Sequence, residues 1–258
     1  MNTKLSTISA FLVLAGSALA GTPAQAETVK VGGYVFEPFV TGEPGVGLTH
    51  EIIDHWNASQ DTYSFTFELT SAQRRYRGMA DEQFDIMLFE NTAWGWEGSG
   101  AAVTASEVFM GGGELYVARG EDVPSQDYFA NFSDKSLAIM SGFHYGFADF
   151  NADRSHLNAN FDVTITSEQA ASLRLVAAGR ADVAVVTQAF YDIYGQANPE
   201  MAAPLVAADT LDQEYRHTVL VGARSPISVE EVNALLAELQ EGDTIARLMS
   251  RVAASIAE

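Results

Sequence analysis

The chain predicts an α/β protein of two similar lobes, each built on a mostly parallel sheet. Short apolar runs of strand character alternate with amphipathic helical segments. The order strand, loop, helix, strand, helix, buried strand occurs twice along the chain. The 258 residues contain no cysteine. That removes disulfides, zinc-thiolate sites and cysteine nucleophiles together, and leaves a fold carried by hydrophobic cores, for which this length suffices.

In the first set, "TVKVGGYV" (28–35) reads as a strand that runs into a loop holding Phe36, Glu37, Pro38 and Phe39. "THEIIDHWNAS" is a helix with Ile52, Ile53 and Trp56 on one face, and "YSFTFELT" alternates as a second strand. "AQRRYRGMADEQ" reads as a helix; "FDIMLF" is continuous in its apolar character, as a strand buried on both faces should be. In the second set, "KSLAIM" (135–140) is a strand followed by "SGFHYGFADF", a glycine-containing turn that enters a helix. "NFDVTIT" is a short strand, "SEQAASLRLVAAG" a serine-capped helix, and "ADVAVVT" a buried strand. The lobes join near "GELYVAR" (113–119) and "RHTVLVG" (216–222), and the helical segment from Ser228 onward, broken at Gly242–Asp243, returns to the first lobe. Residues 27–117 and 218–258 then form lobe 1, and 118–217 form lobe 2.

Lys4, the apolar run Ile8–Ala20, and Ala24 and Ala26 around Gln25 make a secretory signal with cleavage after Ala26. The run is shorter than the roughly 20 residues of a membrane span. With 14 Lys plus Arg against 34 Asp plus Glu, the net charge of -20 excludes nucleic acid and anionic lipid surfaces as partners. Of the five histidines only His50 and His55 are close in sequence, and they fall on different helix faces, so no metal site and no cofactor is expected.

The pieces "VKVGGYVFEPFV", "GVGLTHEIIDHWNAS", "GMADEQFDIML", "KSLAIMSGFHYG", "LRLVAAGRADVAVVTQAFYDIY" and "VNALLAELQEGDTIARLMSRV", in this order, resemble the periplasmic solute-binding proteins of the polar amino-acid type. Those are receptors of ABC importers, and the resemblance covers nearly all of 27–256. It implies a periplasmic, monomeric protein that is not an enzyme. Two lobes with two hinge crossings would close on a small polar, zwitterionic or cationic solute and deliver it to the importer's membrane subunits. A dehydratase or lyase on the same scaffold, with His144 and Glu37 or Glu90 as its acid and base, and a sensor subunit for a membrane signalling protein are the alternatives.

Ligands of open α/β sheets sit beyond the carboxyl ends of the strands, which places the candidate site in the loops there. In lobe 1 these are Tyr34, Phe36 and Glu37, then Glu90, Asn91, Thr92, Trp94 and Trp96. In lobe 2 they are Ser141, Gly142, His144 and Tyr145 at a helix start that offers free N–H groups to a carboxylate, and Thr187, Gln188 and Tyr191. The resembled receptors carry a carboxylate-clamping arginine after the third strand, where this chain reads "NTAWGW". Either another arginine takes that role, with Arg74, Arg75 and Arg77 at the start of the preceding helix as candidates, or the ligand is not an ordinary α-amino acid. If 94–96 is extended, the two tryptophans share one side and form an aromatic wall. "MGGGEL" (110–115) suits a hinge better than an anion-binding nest.

Overall fold

The computed structural model describes residues 26–256; apart from Ala26, the expected signal segment lies outside the described residues. In the first lobe β1 (Glu27–Gly33) is followed by α1 (Leu48–Ser59), β2 (Tyr63–Leu69), α2 (Arg75–Ala80) and β3 (Ile86–Glu90). β1 pairs in parallel with both β2 and β3. α1 covers this sheet because Leu48, Ile52, Ile53 and Trp56 recur at helical spacing on one buried face. Each side chain so buried contributes about 1.5–3 kcal/mol.

The chain then passes β4 (Val103–Ala105) and enters β5 (Met110–Arg119), which leads to the second lobe. There β6 (Ser136–Met140), α3 (Arg154–Asn160), β7 (Asp162–Thr166), α4 (Gln169–Ala177) and β8 (Val183–Thr187) repeat the pattern. β6 pairs in parallel with β7 and β8. After α5 (Gln188–Ala197) and α6 (Pro199–Ala202), the 18-residue β9 (Leu205–Gly222) carries the chain back, and α7 (Val229–Leu239) and α8 (Thr244–Ile256) complete it. A capping box between Ser228 and Glu231 starts α7. Arg251 of α8 pairs with Glu51 of α1, and Tyr63 of β2 donates to Glu231, so the end of the chain lies on the first lobe.

All the strands join one path, β2-β1-β3-β9-β5-β8-β6-β7, with β4 beside β9. Each lobe has the same order outward from its crossing strand, and the antiparallel pair β5–β9 links the two. The carboxyl ends of β1, β3, β6 and β8 therefore face one seam. That is where open α/β sheets bind ligands. The glycines of "MGGGEL" lie in β5, paired with β9, and Gly113 is required there: a Cβ would come within 2.5 Å of Leu211.

Four local expectations are corrected. "SGFHYGFADF" does not enter an α-helix; it makes a 3-10 turn at Gly146–Ala148 and stops, because Asp149 (φ 53°) and Phe150 (φ 58°) are left-handed. Ser167 is not the cap of α4, whose cap position is Glu168 without a side-chain bond. α2 is shorter than 72–83, and Glu82 just past it has a φ of 56°. β9 is longer than 216–222 because two register shifts against β5 break the alternation that a sequence pattern depends on.

Candidate functional site

Two bulges deliver the acids of the seam. In β3, Met87 faces Leu220 but Glu90 faces Thr218, so β3 carries one extra residue, and Phe89 takes the left-handed φ of 57°. A bulge re-aims the side chain beyond it, and Glu90 turns inward to complete burial. There its Oε1 lies 3.1 Å from Arg75 Nε, although the N–H is not aimed at it, and its Oε2 accepts from Trp96 Nε1 at 2.8 Å. The pair is thus Coulombic rather than a well-formed hydrogen bond. Burial pushes the Glu90 carboxyl up, while Arg75, the Trp96 indole, the Asn91 backbone and the Tyr34 hydroxyl pull it back. Arg75 also donates to the carbonyls of Ala72 (2.5 Å) and Trp94 (3.3 Å), with its guanidinium 4.7 Å from the Tyr34 ring centre and 4.4 Å from that of Tyr76.

The second bulge lies in β9, where Glu114 faces Gln213 but Leu115 faces Leu211, leaving Asp212 unpaired in the ladder. Its carboxylate accepts from the N–H groups of Gly146 (2.7 Å) and Phe147 (2.8 Å) and from the Tyr116 hydroxyl (2.5 Å). The chain's own Asp212 thus takes the N–H groups that follow directly on Ser141, Gly142, His144 and Tyr145, the residues expected to hold a ligand carboxylate.

Between these features is a cavity of about 10 Å³, room for one water, bounded by Tyr34, Phe36, Arg75 and Trp94 of the first lobe. Glu114, Gln213 and Tyr215 of the crossing strands and Phe143 and His144 of the second lobe close it. Phe36 is central, with ring centres 5.8 Å from Trp94, 5.3 Å from Phe143 and 5.7 Å from Tyr215. Gln213 ties the parts together: its Oε1 accepts from Trp94 Nε1 (2.9 Å), and its Nε2 donates to Glu114 Oε2 (2.6 Å) and to the His144 carbonyl (2.5 Å). The lobes also meet through Glu37, which accepts from Gln169 N (3.2 Å) and Nε2 (2.9 Å), and through Gln73 donating to Ser141 Oγ (2.9 Å). A wider groove of about 470 Å³ is also lined by both lobes, with Tyr76 and Gly95 from the first and Gly142 and His144 from the second.

The loop 91–98 is a series of turns rather than an extended segment. Gly95 has a φ of 74°, and a Cβ there would meet His144 at 2.9 Å. The tryptophans consequently diverge: Trp94 faces the cavity, while Trp96 packs edge-on against Tyr76 with centroids 4.9 Å apart. His144 Nδ1 faces the Phe150 carbonyl at 2.6 Å, which assigns the ring proton to that nitrogen, and Nε2 meets the Tyr76 hydroxyl at 2.8 Å. Burial lowers its pKa to about 4, so the ring is neutral at neutral pH.

Of the other expected residues, Arg77 does not reach the seam: its side chain is 85% exposed and pairs with Asp81 along the outside of α2. Thr92 and Gln188 are exposed, Asn91 Oδ1 accepts from Ala93 N within its own turn, and Tyr191 packs on the second lobe's core. Thr187 is buried opposite Glu114, its N–H donating to Gln169 Oε1. The Tyr145 hydroxyl is used internally, donating to none of the cavity groups and accepting from Met140 N at 2.7 Å. Glu114, Asp212, Gln213, Tyr215 and Phe143 were missed. They lie in or beside strands whose bulges and crossing leave no periodic mark, and only the proximity of Phe143 to "SGFHYG" offered a signal.

His217 is fully buried among Phe36, Phe39, Phe89 and Tyr215 with neither ring nitrogen at hydrogen-bonding geometry. Burial lowers its pKa to about 3, the Phe89 backbone acting weakly the other way. The unfolded chain therefore binds a proton that the folded one refuses between pH 6.5 and about 3, and stability is lost as pH is lowered through that window. His217→Phe should remove this term. Its unfolding free energy relative to wild type is expected to rise by about 1.4 kcal/mol per pH unit below 6.5, read by urea titration at pH 7, 6 and 5. A constant difference would place the proton elsewhere.

Comparison with known proteins gives no matching family model and no matching curated protein. Solved structures are similar. The GluR0 ligand-binding core in complex with L-glutamate matches with a TM-score of 0.66 at 17% identity, over 88% of this chain and 98% of that one. A putative binding component of an ABC transporter from Wolinella succinogenes, complexed with lysine, matches at 0.67 and 16%, over 87% and 94%. The ancestral amino-acid-binding protein AncCDT-1, a precursor of cyclohexadienyl dehydratase, matches at 0.61 and 16%, over 87% and 94%. At such identities the likeness establishes the fold: this chain has the two-lobed fold of the periplasmic binding proteins. Among the described residues no helix is long and apolar enough to cross a membrane.

Proposed function

We propose that the protein is an exported solute receptor, closing lobe 1 (27–117 and 218–258) and lobe 2 (118–217) about β5 and β9 on a small amino-acid-like solute. The observation that carries this reading is the seam itself. Strand ends of both lobes converge on a cavity with an aromatic lining and buried charges, which is the composition of a ligand site. The solved structures of like fold, which include proteins complexed with glutamate and with lysine, support an amino-acid-like ligand. Delivery to an ABC importer from the periplasm, as a monomer, belongs to the same proposal.

With about 10 Å³ free, the closed form has no room for such a solute. Binding therefore begins with the lobes apart, where the Glu37–Gln169 and Gln73–Ser141 contacts are open, and the solute takes the place of ring contacts made by Phe143. A solute that contacts both lobes shifts the population toward closure. Melting temperature is the direct test. A panel of L-amino acids, betaines and small amines at about 100 Kd should include a solute that stabilises by about 2.7 kcal/mol, or roughly 5–10 °C for a chain of this size. No shift with any of them would remove the reading. The dehydratase alternative has less support, because both nitrogens of His144 are engaged by the chain itself. Chromatography of the solute after incubation separates the two, since a receptor returns it unchanged.

A further inference from the structure

We propose that the cleft takes an organic monocation whose positive charge is set against the carboxylate of Glu114, the hinge strand supplying the counter-ion of the site. This rests on the reading of the seam as a solute site and names the charge class of its ligand. Arg75 and Glu90 already neutralise each other, so neither is free to clamp a ligand. An anion that drew Arg75 away would leave Glu90 buried without its cation, a strongly unfavourable state. Glu114 has no such partner: among the described residues no lysine or arginine forms an ion pair with it.

The groups that face Glu114 are neutral or acidic on every side. β9 presents Asp212, Gln213 and Tyr215, and β5 itself presents Tyr116. Tyr34 comes from the loop after β1, Tyr145 from the second lobe, and Thr187 lies opposite on β8. Arg75, the one cation lining the same cavity, is held by Glu90. Five of the cavity's nine lining side chains are aromatic rings without charge, Tyr34, Phe36, Trp94, Phe143 and Tyr215, and such faces attract a desolvated cation. The site therefore has one uncompensated acid inside an aromatic enclosure.

Burial, and then the charge of Asp212, hold the Glu114 carboxyl well above its ordinary range. A bound cation favours the ionised form. Affinity for a cation therefore falls as pH is lowered through the range in which Glu114 takes up its proton.

Choline, methylammonium and L-lysine are titrated calorimetrically into the full chain. 3,3-Dimethylbutan-1-ol, the uncharged isostere of choline, L-norleucine and L-glutamate serve as comparators, at pH 7 and at pH 5. The tightest cation should bind at least about tenfold more strongly than any comparator at pH 7, and more weakly at pH 5 than at pH 7. Glu114→Gln, which copies the neutral carboxyl, should melt as wild type does and bind that cation at least about tenfold more weakly. Cation binding that is as tight at pH 5 as at pH 7, or that keeps its affinity in Glu114→Gln, overturns the proposal. Binding only of norleucine, glutamate or the isostere overturns it too, while leaving the receptor reading intact; silence from every solute, with no melting shift in the wider panel, removes both.

Discussion

Arg75→Ala is expected to lower the unfolding free energy by about 3–5 kcal/mol. The guanidinium is 1% exposed and, among the described residues, is the only positive charge paired with Glu90, itself fully buried. Its removal leaves Glu90 with hydrogen bonds but no cation. The carboxyl's pKa, already raised by burial, then rises further. A folded carboxyl with a raised pKa binds more protons than the unfolded one, so stability falls as pH increases from about 4.5 through the folded value. The deficit of Arg75→Ala should therefore be larger at pH 8 than at pH 5. The double variant Arg75→Met/Glu90→Leu, which replaces the pair by apolar groups of similar length, should recover most of the loss, because the isolated charge rather than the missing contact causes it. Urea unfolding of the three proteins at both pH values checks all of this. A pH-independent deficit would mean that lost packing dominates.

Trp94→Ala is expected to weaken solute binding by about 2 kcal/mol, roughly thirtyfold, while Trp96→Ala leaves the affinity of the folded protein close to wild type. Both indoles are buried, so both variants should lose stability, by about 3–5 kcal/mol for an indole removed from a packed site. Only Trp94 lines the cavity and holds Gln213, which in turn holds Glu114 and the His144 carbonyl. Trp96 instead gives its N–H to Glu90 and its face to Tyr76. Calorimetric titration below the melting temperature of each variant separates affinity from stability. Equal losses in both variants would show that the loop acts as one packed unit.

The sequence brought Trp94, Tyr34 and Phe36 to the right seam because they follow directly on strands, and a residue one or two places past a buried strand has little freedom in where it lies. It could not separate Trp94 from Trp96. Their spacing suggested one side, but Gly95 turns the chain between them, and a glycine's choice of φ is not written in its neighbours. Arg75 and Arg77 present the same limit on a helix: two residues apart, one is buried and one exposed. Both were candidates because residue type alone does not give the face of a helix shorter than two turns.

By itself the sequence determined the α/β class, the duplicated order of strands and helices and the strand ends that form the seam. Those follow from local periodicity, which each segment carries within itself. Only the tertiary structure decided which charges the seam presents. Glu90 and Asp212 are turned by bulges whose existence depends on a partner strand, Glu90 against β9 and Asp212 against β5. Glu114 faces Gln213 across two strands 99 residues apart in sequence. Pairing at that separation is set by the register of the whole sheet, and a one-residue slip would send each of these carboxylates to the other face.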